Sequence, residues 1–409
     1  MHLKLSPTEK LLLFCARSTL RTFNKSEKSE IQHLLAQRIN WQDFITRAKY
    51  LGIAPQCYLH LKPFHNAVPP PIQKKLEAIF TRNAAQNMKL WALLKDILRA
   101  FEGANIDVIP LKGPLLSEHL HGNIGLRSAS DIDLLIKSED YEGARDVLKE
   151  KGYIPLKLTD YSEKFSSTFR RHEQFASPDP SKHLPMVELH WSFYIASPRP
   201  YDMRPVWQSA VPEKIANIRF LTLPPTFTLI HLAVNLRLHG YINLKQLSDL
   251  DALLAREKEN ISWREAINHS LQNGQKTALY YALFLAARLL GTDVPPYVLK
   301  ALRPPRLQHM FVCGLVKPSK ILAAGDKTVA RVYWDAVRLL TSDSLRDALT
   351  TIKSTALYHP QDLMARYQIS QKSRQKSLST PALSQPGKTR PFYLIFTATK
   401  NLLKYLSKK

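Results

Sequence analysis

Two aspartates separated by one residue are the feature of the sequence that most suggests chemistry. Asp131 and Asp133 flank Ile132 in the segment from Ser130 to Ile136, whose apolar residues predict a β-strand. Side chains two residues apart on a strand point to the same face, so the two carboxylates should converge. Neighbouring negative charges are unfavourable unless a cation neutralises them. The spacing therefore predicts a site for a divalent cation, Mg²⁺ or Mn²⁺.

A third acid lies in a second apolar segment further along the chain. Glu188 stands between Val187 and Leu189 in the segment from Met186 to Phe193, where apolar and polar residues alternate as in a strand. If this strand lies in the same sheet, Glu188 should lie beside the aspartates. Divalent ions held by such carboxylates stabilise the attacking and leaving oxygens in phosphoryl or nucleotidyl transfer. An acid pair alone is also common on solvated strand faces, so the neighbouring segments must decide between a metal site and a solvated face.

The neighbouring segments include a glycine turn upstream of the acid pair. Lys112 and Gly113 follow a short apolar strand, and Pro114 stands where a helix should begin. Glycine lets the backbone approach a phosphate, free N–H groups at a helix N-terminus bind anions, and the lysine adds a full charge. The turn predicts phosphate binding, although ordinary strand-to-helix geometry also explains a lone glycine.

The order of these segments resembles a known family. Residues 108–136 contain an apolar strand, the Lys-Gly turn, an amphipathic helix, Arg127, and the strand that carries the acid pair. This order is similar to the bacterial uncharacterised nucleotidyltransferase family of the polymerase-beta-like superfamily. The helix at 140–153, ending in Lys-Gly-Tyr, and the Val-Glu-Leu-His-Trp segment at 187–191 match the family's following helix and third-acid strand. The resemblance covers residues 10 to 300.

The resemblance implies a metal-dependent transfer of a nucleoside monophosphate from a nucleoside triphosphate to an acceptor. The implied catalytic residues and ligands of Mg²⁺ or Mn²⁺ are Asp131, Asp133 and Glu188. The implied nucleotide-binding residues are Lys112, Gly113, Arg127 and Ser130. Glu188 could also act as a base. The wider superfamily has Gly-Ser or Gly-Gly where this chain has Gly-Pro, so a hydroxyl contact and an N–H donor are missing. The acceptor stays open among a small molecule, a glycan, a protein and RNA.

Several other polar residues allow two interpretations. Arg127 could pair with a triphosphate, hold the acids apart, or lie on the surface ahead of its strand. His190 lies two residues after Glu188 on the same predicted face, and it could contact the site or serve as a structural histidine. Four residues on predicted helices lack the spacing of helical metal motifs and are interpreted mainly as structural: His231, His239, Asp249 and Asp251. Asp249 could orient helix packing or line the substrate cleft.

The elements that position the site are strands and helices in alternation, with further helices before and after them. This pattern predicts an α+β fold in which a small mixed β-sheet nucleotidyltransferase core is flanked by N-terminal and C-terminal helical regions. The expected divisions are an N-terminal helical region at 1–104, the core at 105–220, a C-terminal helical domain at 221–365, and a basic linker with an amphipathic tail at 366–409.

Composition limits the class of protein and favours anionic partners. With 44% hydrophobic residues among 409, the chain is neither collagenous nor fully disordered, and its three scattered cysteines favour a reducing cytoplasm. The apolar run near the start is too short for a signal peptide, and no segment reaches the roughly 18 apolar residues of a membrane span. The formal net charge of +24 favours nucleotides, nucleic acid, phosphorylated glycans or an anionic membrane.

The C-terminal tail keeps two alternatives to the enzyme open. Residues 371–390 lack apolar periodicity and predict a linker, whereas residues 391–409 set apolar residues among lysines. Such a tail could contact an anionic membrane or dock on the protein's own surface. The alternatives are a non-catalytic nucleic-acid-binding protein and a peripheral membrane protein on the same fold. The expected location is cytoplasmic, either free or peripheral at the inner membrane face.

Overall fold

Helices form the first quarter of the chain. In the computed structural model the described residues are 5–156, 171–179, 184–193, 201–323 and 330–356. The first helices are α1 (Pro7–Cys15), α2 (Lys25–Leu35), α3 (Trp41–Tyr50), α4 (Ala54–Leu61), a 3-10 turn (Lys62–Ala67) and α5 (Pro70–Gly103). Capping boxes start α1 at Ser6 and α2 at Asn24, because each side chain accepts the third backbone N–H of its helix. The predicted tail at 366–409 lies outside the described residues.

A five-stranded mixed sheet follows α5. The strands are β1 (Val108–Pro110), β2 (Asp131–Ile136), β3 (Ile154–Pro155), β4 (His172–Ala176) and β5 (Met186–His190). Their order across the sheet is β1-β2-β5-β4-β3, and β2 and β5 form the parallel pair at its centre. The remaining pairs are antiparallel. Helix α6 (Gly113–His121) connects β1 to β2, and α7 (Tyr141–Glu150) follows β2.

The two faces of the sheet belong to different cores. Ile132, Leu134 and Leu189 point to one face and join a core that includes residues of α5 and α7. Leu135, which alternates with them, joins a larger core built from the helices before and after the sheet. Asp131 and Asp133 lie four and two residues before Leu135 on β2, so they point to the same face as Leu135. The carboxylate face is therefore turned toward these helices.

Helices dominate again after the sheet. Helix α8 (Arg204–Ser209) and a hairpin of β6 (Val211–Ile215) and β7 (Ile218–Thr222) lead into them. The following helices are α9 (Pro225–Leu238), α10 (Leu244–Glu257), α11 (Trp263–Gln272), α12 (Lys276–Leu290), α13 (Pro296–Ala301), α14 (Arg306–Leu315), α15 (Pro318–Ile321), α16 (Ala330–Leu340) and α17 (Leu345–Ala356). Two more 3-10 turns are Ser138–Asp140 and Lys258–Asn260. No helix in the described parts of the chain is long and apolar enough to cross a membrane.

Helix α10 carries two buried aspartates that bind different parts of the molecule. Asp249 accepts hydrogen bonds from the Nε of Arg127, which lies just before β2. Asp251 accepts hydrogen bonds from the backbone N–H of Ser18 and from Arg21, both in the N-terminal helical part. A single helix thus contacts both the sheet region and the N-terminal helices through ionised side chains.

The predicted α+β class is confirmed, since a small mixed sheet lies between helical regions. The division into four regions stays a prediction. Three strands were not predicted: β4, which has three polar residues among five, and the pair β6 and β7. The hairpin turns at Ala216 and Asn217, which both have positive φ as a tight two-residue turn requires.

Candidate active site

The parallel pairing of β2 and β5 brings the predicted acids together. Asp133 lies directly opposite Glu188, and Leu135 lies opposite His190. Asp131 is two residues earlier on β2, on the same face, and lies opposite Met186. The pairing that the sequence could only assume, with the third acid beside the acid pair, is therefore present.

Asp133, Glu188 and His190 form a compact group of metal-ligand atoms. The Nε2 atom of His190 lies 3.2 Å from Oδ1 of Asp133 and 3.5 Å from Oε2 of Glu188. One ligand atom from each of the three residues lies within 4.8 Å of the others. Asp133 and His190 are buried, and Glu188 is half-buried. Of the two interpretations of His190, direct contact with the site is the one observed.

Strand β4 supports this group from the side. The amide Nε2 of Gln174 donates a hydrogen bond of 2.7 Å to Oε1 of Glu188. The ring of His172 stacks on His190 with centroids 5.6 Å apart and planes 19° from parallel. Gln174 thus fixes the orientation of Glu188, and His172 fixes the orientation of His190. Sequence reasoning missed them because only the cross-strand register reveals that they face the acids.

The glycine turn places Lys112 in the acidic group. Its ammonium lies 2.9 Å from Oδ1 of Asp133, and the backbone N–H of Leu111 donates to the carbonyl of Asp133. Gly113 begins α6 with φ of +75°, a conformation that side chains disfavour. A Cβ atom there would be 3.7 Å from the Asp131 carbonyl, which is ordinary contact. The turn therefore requires glycine for its backbone angle and not for space.

Charges within the group oppose one another. Burial raises the pKa of Asp133, but Lys112 and His190 outweigh burial and hold that pKa well below its usual value. Burial would lower the pKa of His190, but hydrogen bonds to Asp133 and Glu188 raise it. Lys112 and His190 thus both favour the charged form of Asp133.

Asp131 differs from Asp133 in that little nearby positive charge compensates for the burial of its carboxylate. Burial and then the charge of Asp133 raise its pKa. Among the described residues it has no ion-pair partner, and its side chain accepts only a 3.4 Å hydrogen bond from Ser130. It lies outside the compact group of three, so its role as a metal ligand stays a prediction. An added cation near Asp131 would relieve this unfavourable charge.

Arg127 is buried and bound to the helical region. Its side chain is 4% exposed, and its Nε lies 3.0 Å from both carboxylate oxygens of Asp249. The alternative of a surface arginine is therefore wrong. Its predicted contact with nucleotide stays a prediction, and Nε already binds Asp249. Asp249 binds Arg127, and its two interpretations, orienting helix packing and lining the substrate cleft, stay predictions.

The donor set fits a divalent cation. Two ligands on opposite sides of an ion at about 2.1 Å lie about 4.2 Å apart, so a group spanning 4.8 Å needs only small side-chain shifts. Two carboxylates and an imidazole would suit Mn²⁺ as well as or better than Mg²⁺, which prefers oxygen ligands. Asp133, Glu188 and His190 are the residues that would hold the ion.

A separate cleft opens beyond the C-terminal ends of the same two strands. It has a volume of about 620 Å³, and its lining includes Lys137 after β2, Trp191 after β5, and Trp207 of α8. The Lys137 ammonium lies 5.6 Å from the Trp207 ring centroid. The cleft therefore combines aromatic surface with positive charge close to the sheet that carries the acids.

A mixed sheet with an acid pair on one strand, a third acid on its parallel neighbour and a glycine turn at a helix start defines a nucleotidyltransferase-type protein. The model of the uncharacterised nucleotidyltransferase family matches residues 37–291, and the chain belongs to this family. The matched span includes the whole sheet and α9 to α12. No curated protein matches the chain.

Proposed function

We propose that the protein is a metal-dependent nucleotidyltransferase that moves a nucleoside monophosphate from a nucleoside triphosphate to an acceptor. The observation that carries the proposal is the group of Asp133, Glu188 and His190, whose ligand atoms lie within 4.8 Å of one another on adjacent strands. Membership of the nucleotidyltransferase family supports a nucleotide as the substrate.

The residues around this group have separate roles in the proposed reaction. A bound divalent cation would neutralise charge that develops on the phosphates. Lys112 and the N-terminus of α6 at Gly113 would bind the phosphate oxygens. Asp131 would contribute a further carboxylate to the metal site. Glu188, held by Gln174, would accept the proton of the attacking acceptor group.

Bond changes in the proposed transfer are those of an in-line substitution at phosphorus. An acceptor oxygen or nitrogen forms a bond to the α-phosphorus, and the bond from that phosphorus to the bridging oxygen breaks. Pyrophosphate leaves with the electron pair. The buried position of Asp133 and His190 strengthens electrostatic interactions, because nearby protein atoms screen charge less than water does.

The test compares the native protein with an Asp133→Asn variant that keeps the shape of the side chain. Binding of each of the four ribonucleoside triphosphates and release of pyrophosphate would be measured with Mg²⁺ and with Mn²⁺. The matched control is Glu142→Gln, because Glu142 is an exposed acid on α7 whose partner, Arg145, lies on the same helix. Thermal unfolding would establish that each variant is folded.

Metal-dependent binding or turnover that is lost in Asp133→Asn and kept in Glu142→Gln is the expected result. If native protein and Asp133→Asn behave alike with every nucleotide and both metals, the enzyme proposal is wrong. A salt-sensitive affinity for nucleic acid without turnover would then favour the non-catalytic alternative. Deleting the residues after 370 tests the membrane alternative, because recovery with anionic vesicles should then be lost while nucleotide binding persists.

A further inference from the structure

Lys245 on α10 is a half-buried lysine that has no carboxylate partner in the described parts of the chain. Its ammonium donates a hydrogen bond of 3.0 Å to the backbone carbonyl of Ser128. Among the described residues, no acid lies within 4.0 Å of this ammonium, unlike Lys112, which is paired with Asp133. An ammonium has three N–H donors, so two remain for another acceptor. A lysine removed from water in this way is costly unless an anion compensates it.

The stem of Lys245 is held in place by the N-terminal helical part. A Cβ atom added at Gly52, between α3 and α4, would lie 3.1 Å from Cδ and 3.3 Å from Cβ of Lys245. The same atom would lie 3.3 Å from the hydroxyl of Ser128. The lysine stem therefore packs closely over the Gly52 backbone, which leaves its ammonium little freedom of direction.

The ammonium of Lys245 lies beside the segment that leads into the acid-bearing strand β2. Ser128, its hydrogen-bond partner, is three residues before Asp131. The charges of Lys245 and Asp131 act on one another, and Lys112 also acts on Lys245. Burial and then the charge of Arg127 lower the pKa of Lys245 to about 8. Lys245 and Lys112 thus both act on the charge of Asp131, from two different elements.

We propose that Lys245 binds the phosphate chain of the nucleoside triphosphate, so that a helix outside the sheet completes the nucleotide site. The proposal rests on the nucleotidyltransferase function proposed above. A triphosphate offers several anionic oxygens to the two remaining N–H donors, and charge-assisted hydrogen bonds of this kind are strong. The charge of Lys112 is already shared with Asp133, whereas Lys245 has no ion-pair partner among the described residues.

A purely structural role predicts different behaviour. In that case Lys245 would serve only to bind the carbonyl of Ser128 and hold α10 against the segment before β2. Its removal would then lower the free energy of unfolding, and it would affect every nucleotide equally. A phosphate-binding role requires a loss that grows with the number of phosphates and that is restored by another cation at the same position.

The variants for the test are Lys245→Met, which keeps the stem without the charge, and Lys245→Arg, which keeps the charge. The control is Lys149→Met, since Lys149 is exposed and paired with Asp146 of its own helix. Affinity would be measured calorimetrically in the full-length protein with Mn²⁺. The ligands are the tightest-binding of the four ribonucleoside triphosphates and the corresponding monophosphate.

Lys245→Met should bind the triphosphate about 10- to 100-fold more weakly, the size expected for one charged hydrogen-bonded contact. Its monophosphate affinity should change by less than about threefold. Lys245→Arg should retain most of the triphosphate affinity, and Lys149→Met should match native protein. A second variant, Gly52→Ala, should weaken triphosphate binding in the same direction, because its methyl group displaces the lysine stem.

The other results overturn one proposal or both. If native protein binds the triphosphate and Lys245→Met binds it equally well, Lys245 does not contact phosphate. Equal losses for triphosphate and monophosphate also overturn the inference, because they indicate a structural role. If native protein binds none of the four triphosphates with either Mg²⁺ or Mn²⁺, the proposed function itself is wrong, and the inference that rests on it fails too.

Discussion

Replacing Lys112 with Met should destabilise the metal-free protein and, at the same time, tighten its binding of a divalent cation. Lys112 is the cation nearest to the compact acidic group, with its ammonium 2.9 Å from Asp133. Without Lys112, His190 would be the remaining side-chain partner of the Asp133 carboxylate among the described residues. A metal ion would supply the positive charge that the variant lacks.

The size of the effect follows from burial. The Asp133 side chain is 1% exposed, and the Lys112 side chain is 18% exposed. Removing one partner of a fully buried pair costs about 3–5 kcal/mol, and surface pairs contribute about 0–1 kcal/mol. An intermediate value of about 2 kcal/mol fits this partly exposed lysine and corresponds to a Tm lower by a few degrees. If a metal recovers all of that energy, its affinity should rise by up to about 30-fold.

Thermal unfolding of Lys112→Met would be measured without metal and across a Mn²⁺ titration, beside Lys149→Met as the exposed control. The expected result is a lower metal-free Tm and a larger Mn²⁺-induced increase than in native protein. A metal-free Tm equal to that of native protein, with unchanged Mn²⁺ affinity, would refute the idea that this lysine stands in for a cation at the acidic group.

Three further predictions concern the elements around the group. Asp249→Asn should lower the free energy of unfolding by about 3 kcal/mol in chemical denaturation, because it leaves the Arg127 guanidinium buried without a counter-charge; an unchanged midpoint would contradict this. Gly113→Ala should cost about 1–2 kcal/mol through its positive φ and should weaken triphosphate binding in calorimetry. Lys245→Met should be more stable than native protein at pH 7 by about 1–3 kcal/mol, because the folded-state pKa of about 8 lies below the unfolded value of 10.5. The unfolded chain then binds more protons between those values, so native stability should rise with pH from 8 to 10.5 relative to the variant; parallel stability profiles would contradict this.

The face of the sheet that carries the acids could be predicted, because residues two apart on a strand point to the same face. Asp131 and Asp133 share a face through spacing alone, and the apolar neighbours of Glu188 indicate a buried strand of the same kind. The sequence could only assume that the strand of Glu188 lies in the same sheet, and the fold pairs β2 with β5 in parallel. Local patterns therefore account for which side chains point to the site.

Contacts made between distant segments could not be predicted. His190 was left between two interpretations, since its distance from Asp133 depends on the register of two strands. Gln174 was missed because the polar strand β4 lacks an apolar alternation that would identify it. Lys245 looked like any lysine on an amphipathic helix, and only tertiary packing places it beside the sequence leading to β2.

The two aspartates of α10 determine which segments of the chain must stay together if the site is moved into another protein. The acid-bearing sheet cannot simply be cut out, because Arg127 would lose Asp249 and the carboxylate face would lose the helices packed against it. The N-terminal helices are joined to the same helix through Asp251. Moving this site into another chain would therefore require moving α10 together with the segment that holds Arg127 and the N-terminal segment that holds Ser18 and Arg21.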